Sequence, residues 1–133
     1  MNDRKPILCL DFDGVIHSYT SDWESAALIP DPPVPGALDF ILVALDHFRV
    51  CIYSSRSGQI GGVGAMQDWL EDHFEEYLNI SADEAQDIVR NRIQWPMQKP
   101  PAFITIDDRA LTFTGVWPTI KFLQSFKPWN KKE

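Results

Sequence analysis

The chain has 133 residues, of which 44% are hydrophobic and five are tryptophan, which suits one domain with a real core and excludes a disordered chain. The net charge of −7 argues against a protein that grips phosphate backbones, since such proteins cluster Lys and Arg. We therefore expect a single domain over residues 1–133, and we do not expect nucleic acid as a partner. A small phosphorylated substrate is compatible with this charge.

Cysteine usage and hydropathy indicate the compartment. Cys9 and Cys51 both lie inside apolar runs, which predicts buried, reduced thiols and no disulfide framework. Residues 1–5 are polar and lack the apolar core of a signal peptide, and no apolar run approaches membrane-spanning length. We therefore expect a cytoplasmic protein with no membrane partner. The sequence carries no signature of an oligomeric state.

Apolar runs and helical patterns alternate along the chain. The first run, residues 7–11, is continuous, which is typical of a strand buried on both faces. Residues 16–35 end in PDPPVPG and predict an irregular flap around Tyr19 to Trp23. The next patterns predict a helix over 36–47, a buried strand over 48–54, a glycine loop at 58–64 and a helix over 65–78. A capping box at Ser81 and Glu84 then opens a helix that ends near 91. The last patterns predict a buried strand over 101–108, a short strand at 111–115, a helix over 119–126 and a loose tail over 127–133, which Trp129 could anchor.

This alternation predicts an α/β fold. We expect a single three-layer, Rossmann-like domain with a mainly parallel sheet and helices on both faces. Such sheets bind ligands outside the carboxyl ends of their strands. Polar pairs follow three of the predicted strands at that edge, and they are Asp11 with Asp13, Ser54 with Ser55, and Asp107 with Asp108.

Four acids at one sheet edge would repel each other unless a cation lay between them. Carboxylate oxygens in a small cluster suit Mg²⁺, whereas the histidines and cysteines of this chain show no zinc spacing. Side chains alternate along a strand, so Asp11 and Asp13 should point the same way. One carboxylate could attack a phosphoryl group while the other donates a proton to the leaving oxygen.

The order of these motifs resembles the haloacid dehalogenase (HAD) superfamily of phosphohydrolases. The segments that carry the resemblance are DFDGV, VCIYSSR and QKPPAFITIDDRA, and the match as a whole spans about residues 7–115. Asp11, Asp13 and Val15 match the first motif of the family. The later motifs are matched by Ser54 at the end of a hydrophobic strand, by Lys99, and by the acidic pair Asp107 and Asp108.

The resemblance implies a phosphoaspartyl mechanism that depends on Mg²⁺. Asp11 would be the nucleophile and a metal ligand. Asp13 would be the general acid, then the base that activates water, and would bind the metal through its main-chain carbonyl. The other implied site residues are Ser54 and Lys99, which would hold the phosphoryl oxygens, and Asp108, supported by Asp107, which would complete the metal site.

Most members of this family carry an inserted cap domain. The short stretch between Val15 and the second predicted strand leaves room for a flap and for no cap, so the chain resembles the small capless members. Arg56 is a candidate donor to the substrate phosphate, but a surface salt bridge would explain it equally well. Ser54 could merely end a strand, Lys99 could be a solvated loop residue, and His17 could be either a flap residue or a catalyst.

Two functions from other classes stay open. A phosphoacceptor signalling domain of the receiver type also gathers acids at the edge of a parallel sheet. Receivers place an adjacent acidic pair after the first strand, whereas this chain places its D-x-D there and its adjacent pair last. The other alternative is a catalytically idle interaction module, against which the intact Asp11 and Asp13 argue. Turnover of a chromogenic phosphate ester separates all three functions.

Overall fold

A computed structural model describes residues 5–130 and confirms that the fold is α/β. Three parallel strands, β1 (Ile7–Leu10), β2 (Arg49–Ile52) and β3 (Ile104–Ile106), form a sheet in the order β2-β1-β3. The helices in the described residues are α1 (Ala37–Leu45), α2 (Gly62–Leu78), α3 (Ala82–Gln86) and α4 (Ile120–Gln124), and a π-helical turn (Asp87–Arg92) continues α3.

The register of the sheet brings the carboxyl ends of its strands to one edge. Leu10 of β1 pairs with Ile52 of β2 and with Ile106 of β3. The Asp11 N–H continues the ladder by donating to the Ile106 carbonyl at 3.0 Å. Asp11 therefore leaves the sheet beside Asp107, the residue that follows Ile106.

The core consists mainly of β1, β2 and the apolar faces of α1 and α2, and Phe12, Ile16, Ala85, Val89 and Ile93 complete it. The helical spacing predicted which side chains of α1 and α2 face inward, and the structure confirms it. Burying one such side chain fully is worth roughly 1.5–3 kcal/mol. The buried core residues of these four elements include Leu8, Leu10, Val50, Ile52, Leu38, Ile41, Leu45, Met66, Leu70 and Phe74, with Leu42, Trp69 and Leu78 partly buried against them.

Helix α2 begins earlier than the sequence predicts. The glycines at 58–64 predict a loop, yet the helix begins at Gly62. A Cβ atom on Gly62 would lie 1.9 Å from the Arg56 carbonyl oxygen, so only glycine allows the helix to start this close to the preceding turn. The glycine reflects close packing and not flexibility.

The capping box of α3 is confirmed, although the helix that it opens is short. The Ser81 side chain accepts a hydrogen bond from the Glu84 N–H, and the Glu84 side chain accepts one from the Ser81 N–H. The predicted helix to residue 91 is α-helical only to Gln86 and continues as the π-helical turn.

The predictions for the last third of the chain need correction. The predicted buried strand over 101–108 shortens to β3, whose Ile104 and Ile106 are 51% and 39% exposed. Residues 111–115 form no strand, because their alternating apolar pattern finds no strand to pair with. β3 is an edge strand, and α4 does not cover it, as the 54% exposure of Phe122 shows.

The flap, residues 16–35, contains no helix and no strand, and its two ends are joined by backbone hydrogen bonds. Val34 N donates to Ile16 O at 2.7 Å, and Ser18 N donates to Pro32 O at 2.9 Å. The tail begins to return to this region at residue 128. The indole N–H of Trp129 donates to the Gly14 carbonyl at 2.7 Å, which anchors the tail, while residues 131–133 lie outside the described part of the chain.

Cys9 and Cys51 are both free and buried, as predicted. Among residues 5–130, no helix has the length and apolar character needed to cross a bilayer.

Candidate active site

Three carboxylates meet at the carboxyl edge of the sheet. Asp11 follows β1, and Asp107 and Asp108 follow β3. One oxygen from each carboxylate lies within 4.8 Å of the other two. The register of β1 and β3 produces this cluster, since Asp11 and Asp107 each stand one position beyond the pair Leu10 and Ile106.

Gly14 forms a cradle for the Asp108 carboxylate. Gly14 has a φ of +83°, and a Cβ atom there would lie 2.1 Å from Oδ2 of Asp108. This Oδ2 is buried and has no hydrogen-bond partner in the described structure. Buried carboxylate oxygens are normally satisfied, so an unsatisfied one beside two further carboxylates fits a site for a hard cation such as Mg²⁺.

The electrostatics of the cluster agree with that fit. Burial raises the pKa of Asp11 to about 8. A hydrogen bond from the Phe12 N–H lowers this pKa, and the charges of Asp107 and Asp108 raise it by smaller amounts than burial does. Burial also raises the pKa of Asp108. A cation among these oxygens would favour their ionised forms and remove the repulsion.

This shift predicts how the stability of the metal-free protein depends on pH. A carboxyl group with a raised folded-state pKa contributes stability that is fully present below its unfolded pKa, roughly 4, and that is lost as the pH rises through its folded-state value. We therefore expect Asp11→Asn to leave Tm unchanged near about pH 4 and to raise it by a few degrees near about pH 9 in a chelator. Thermal unfolding of both proteins measures this difference. The exposed Glu76→Gln on α2 is the control, and an equal shift at both pH values would contradict the assignment.

Asp13 faces different partners from Asp11. Phe12, between the two, is fully buried, and both acids are half-buried. Asp13 accepts hydrogen bonds from Nδ1 of His17 at 2.8 Å and from Nε of Arg56 at 2.9 Å. Burial by itself would raise the pKa of Asp13, but these hydrogen bonds outweigh it and hold that pKa below its ordinary value. The side chain of Asp13 thus stands outside the carboxylate cluster, and binding of a metal through its main-chain carbonyl stays a prediction.

His17 links Asp13 to the far end of the flap. The Asp31 N–H donates to Nε2 of His17 at 3.0 Å, so the ring proton is on Nδ1 and points to Asp13. His17 is fully buried, and it stacks on Phe12 with a centroid distance of 5.7 Å. The i,i+4 spacing from Asp13 to His17 was the available signal for this contact, and the sequence alone left the role of His17 open.

Ser54 lies at the same edge, but its hydroxyl has partners within the protein. Ser54 Oγ accepts from the Arg56 N–H at 2.9 Å and lies 3.7 Å from Sδ of Met66. Ser54 is buried, whereas Ser55 is exposed. The structure thus places Ser54 at the carboxyl end of β2 as predicted, and its contact with a phosphoryl oxygen stays a prediction.

The structure does not bring Lys99 and Arg56 to the acidic cluster. Lys99 is exposed and precedes Phe103, whose N–H donates to the Ile7 carbonyl at the amino end of β1. The chain therefore enters β3 at the end of the sheet opposite to Asp11, and Lys99 lies before that end, outside the sheet. Arg56 is only 1% exposed, and its guanidinium faces Asp13 and the flap.

No protein-family model, curated protein or solved structure matches the chain. The arrangement of its side chains therefore carries the functional argument.

Proposed function

We propose that the protein is a Mg²⁺-dependent phosphatase of the HAD superfamily, which hydrolyses a phosphate monoester through a phosphoaspartyl intermediate on Asp11. The observation that supports this function best is the meeting of Asp11, Asp107 and Asp108 around the unsatisfied, buried Oδ2 of Asp108. The proposal includes a single three-layer, Rossmann-like domain without a cap, located in the cytoplasm.

Asp11, Asp107 and Asp108 would hold the cation, together with the main-chain carbonyl of Asp13. When bound, Mg²⁺ supplies positive charge that neutralises the phosphoryl oxygens and lets a carboxylate approach the phosphorus. Burial raises the pKa of Asp11 to about 8 in the metal-free site, and a bound cation would favour its ionised form.

The chain's own residues then divide the work. In the first step an oxygen of Asp11 forms a bond to phosphorus, the bond to the leaving oxygen breaks, and Asp13 passes a proton to that oxygen. In the second step Asp13 takes a proton from water, the water oxygen bonds to phosphorus, and the bond from phosphorus to the Asp11 oxygen breaks, which restores the Asp11 carboxylate. Phosphate leaves, and Asp13 returns its proton to the phosphate dianion or to solvent. His17 and Arg56 favour the carboxylate form of Asp13, which is the form needed in the second step. A monoanionic phosphate ester carries the proton that Asp13 needs in the first step.

The described residues include no cap domain, and this bears on the substrate. The flap is the only insertion between β1 and α1 in the described structure, and Trp23 on it is 40% exposed. A site without a cap suits an exposed phosphate group. The net charge of −7 favours a small or weakly charged phosphorylated substrate over nucleic acid.

We expect hydrolysis only with a divalent cation. A panel of phosphorylated metabolites, nucleotides, phosphopeptides and aryl phosphates is assayed with Mg²⁺ and after exhaustive chelation. Activity should fall at least about 100-fold on chelation and return with Mg²⁺, because the metal neutralises the phosphoryl charge. Undiminished turnover in the chelator would contradict the proposed metal dependence.

The same assay separates the other functions. A receiver-type domain would take up a phosphoryl group from a small phosphodonor without catalytic turnover, and an idle interaction module would do neither. Phosphate release over many turnovers supports the phosphatase.

A further inference from the structure

Arg56 is a buried cation whose guanidinium joins two parts of the molecule. Its Nε donates to both carboxylate oxygens of Asp13, at 2.9 and 3.2 Å. Its Nη1 donates to three carbonyls of the flap. A buried charge is tolerated only when it is paired and hydrogen-bonded, and Arg56 meets both conditions through these contacts. The flap carbonyls belong to Ser25 at 3.1 Å, Ala26 at 2.7 Å and Leu28 at 3.1 Å.

The backbone of Arg56 is held as firmly as its side chain. Its N–H donates to Ser54 Oγ at 2.9 Å, and Ser57 N donates to Ser54 O at 2.9 Å, which closes a tight turn after β2. Gly62, the first residue of α2, packs against the Arg56 carbonyl. The guanidinium therefore projects from a rigid base toward two less regular segments.

An aromatic contact from the flap completes the arrangement. The ring centroid of Trp23 lies 4.6 Å from Cζ of Arg56, a distance at which a cation–π interaction is favourable. Trp23 is partly exposed, so the flap covers the guanidinium on its solvent side. If the flap opens, Arg56 loses the Trp23 contact and the carbonyl contacts at once.

We propose that Arg56 is a positioning residue that couples closure of the flap to the placement of the Asp13 carboxylate. The inference rests on the proposed function, because it assigns Asp13 its proton-transfer role. Only a planar fork of donors can hold Asp13 and the flap carbonyls together, whereas a lysine reaches one or the other. Arg56 thus supports the acid–base residue and does not contact the substrate phosphate, which differs from the role that the sequence suggested.

The kinetic test compares the wild type with Arg56→Lys on aryl phosphates whose leaving groups increase in basicity. Poor leaving groups depend most on proton donation, so a misplaced Asp13 harms them most. We expect kcat to fall about 10-fold for the best leaving group and about 100-fold for the poorest, with KM changing less than about 3-fold. A uniform fall in kcat would indicate a merely structural role and overturn the proposal. A uniform rise in KM, with weaker inhibition by inorganic phosphate, would indicate phosphate contact and overturn it too.

The flap side of the coupling is measured without turnover, by amide hydrogen exchange. Arg56→Lys and Asp13→Asn should each speed exchange over residues 20–31 about 10-fold, because either change weakens the link between the flap and Asp13. Arg49→Lys is the matched control. Arg49 is a half-buried arginine of β2, and its Nε donates to Lys5 O at 2.9 Å and not to Asp13. Unchanged flap exchange in either Arg56→Lys or Asp13→Asn would contradict the coupling.

A second variant guards against misfolding of Arg56→Lys. Trp23→Leu removes the aromatic contact from a partly exposed site and leaves Arg56 and Asp13 in place. In this variant kcat should again fall more for poor leaving groups than for good ones, with the difference reduced to about 3-fold. Amide hydrogen exchange in the flap should also be faster. Absence of both effects would overturn the proposal.

If the wild type with Mg²⁺ hydrolyses none of the esters, the proposed function is wrong, and the exchange experiments still decide whether Arg56 couples the flap to Asp13.

Discussion

Replacing Asp11 by Asn should lower the rate of phosphate ester hydrolysis at least about 1,000-fold while the protein stays folded. An amide does not attack phosphorus. Among the described carboxylates, Asp11 is the one that directly follows the central strand β1. The Asn side chain keeps the size of Asp and cannot ionise, so in the metal-free protein it removes a repelling charge only above the raised pKa of Asp11, and the fold should not suffer at any pH. Steady-state turnover of an activated aryl phosphate measures the loss.

Two controls make the loss interpretable. Tm and far-UV circular dichroism of Asp11→Asn should equal or exceed those of the wild type. Asp72→Asn, on the exposed face of α2, also removes a carboxylate, but one outside the cluster, and it should retain full activity. Near-wild-type kcat in Asp11→Asn would mean that the nucleophile lies elsewhere.

Replacing Asp13 by Asn should slow turnover by roughly 10²–10⁴-fold and should trap the phosphorylated enzyme. The variant keeps the nucleophile Asp11 but loses the group that protonates the leaving oxygen and activates water. An activated aryl phosphate has a good leaving group, so phosphorylation of Asp11 suffers less than hydrolysis of the phosphoaspartate. Rapid quenching followed by intact-mass measurement should therefore find one added phosphoryl group.

The contacts of Asp13 determine which controls this experiment needs. Asp13→Asn weakens an ion pair with the buried Arg56, although the amide oxygen still accepts a hydrogen bond from Nε. Tm must therefore be measured, and a folded variant confirms that lost activity reflects lost chemistry. The double variant Asp11→Asn with Asp13→Asn should gain no mass. An Asp13→Asn protein that turns over at the wild-type rate, without added mass, would remove Asp13 from proton transfer.

Much of the fold could be predicted from local patterns. The continuous apolar runs predict β1 and β2, and the helical spacing predicts the buried faces of α1 and α2, because burial of apolar surface dominates folding and depends on periodicity. The capping box predicts the start of α3 because both of its hydrogen bonds are local. The cluster of Asp11, Asp107 and Asp108 also follows from the sequence, since acids placed directly after parallel strands of one sheet share one edge. The fourth acid predicted there, Asp13, instead turns its side chain to His17 and Arg56.

The sequence alone does not show which residues far apart in the chain are in contact in the folded protein. The local pattern of residues 101–108 predicts a buried strand, but β3 is exposed because no described helix packs closely on it, whereas the other edge strand, β2, is buried. Arg56 is two positions beyond Ser54, and only the tertiary structure decides that its guanidinium turns to Asp13 and to the flap carbonyl of Ala26, 30 residues away in sequence. A long side chain has many rotamers of similar energy, and the contact that selects one comes from distant segments. The sequence alone thus determined the α/β class and the acidic edge, and the tertiary structure decided the partners of Asp13 because they depend on packing between segments far apart in the chain.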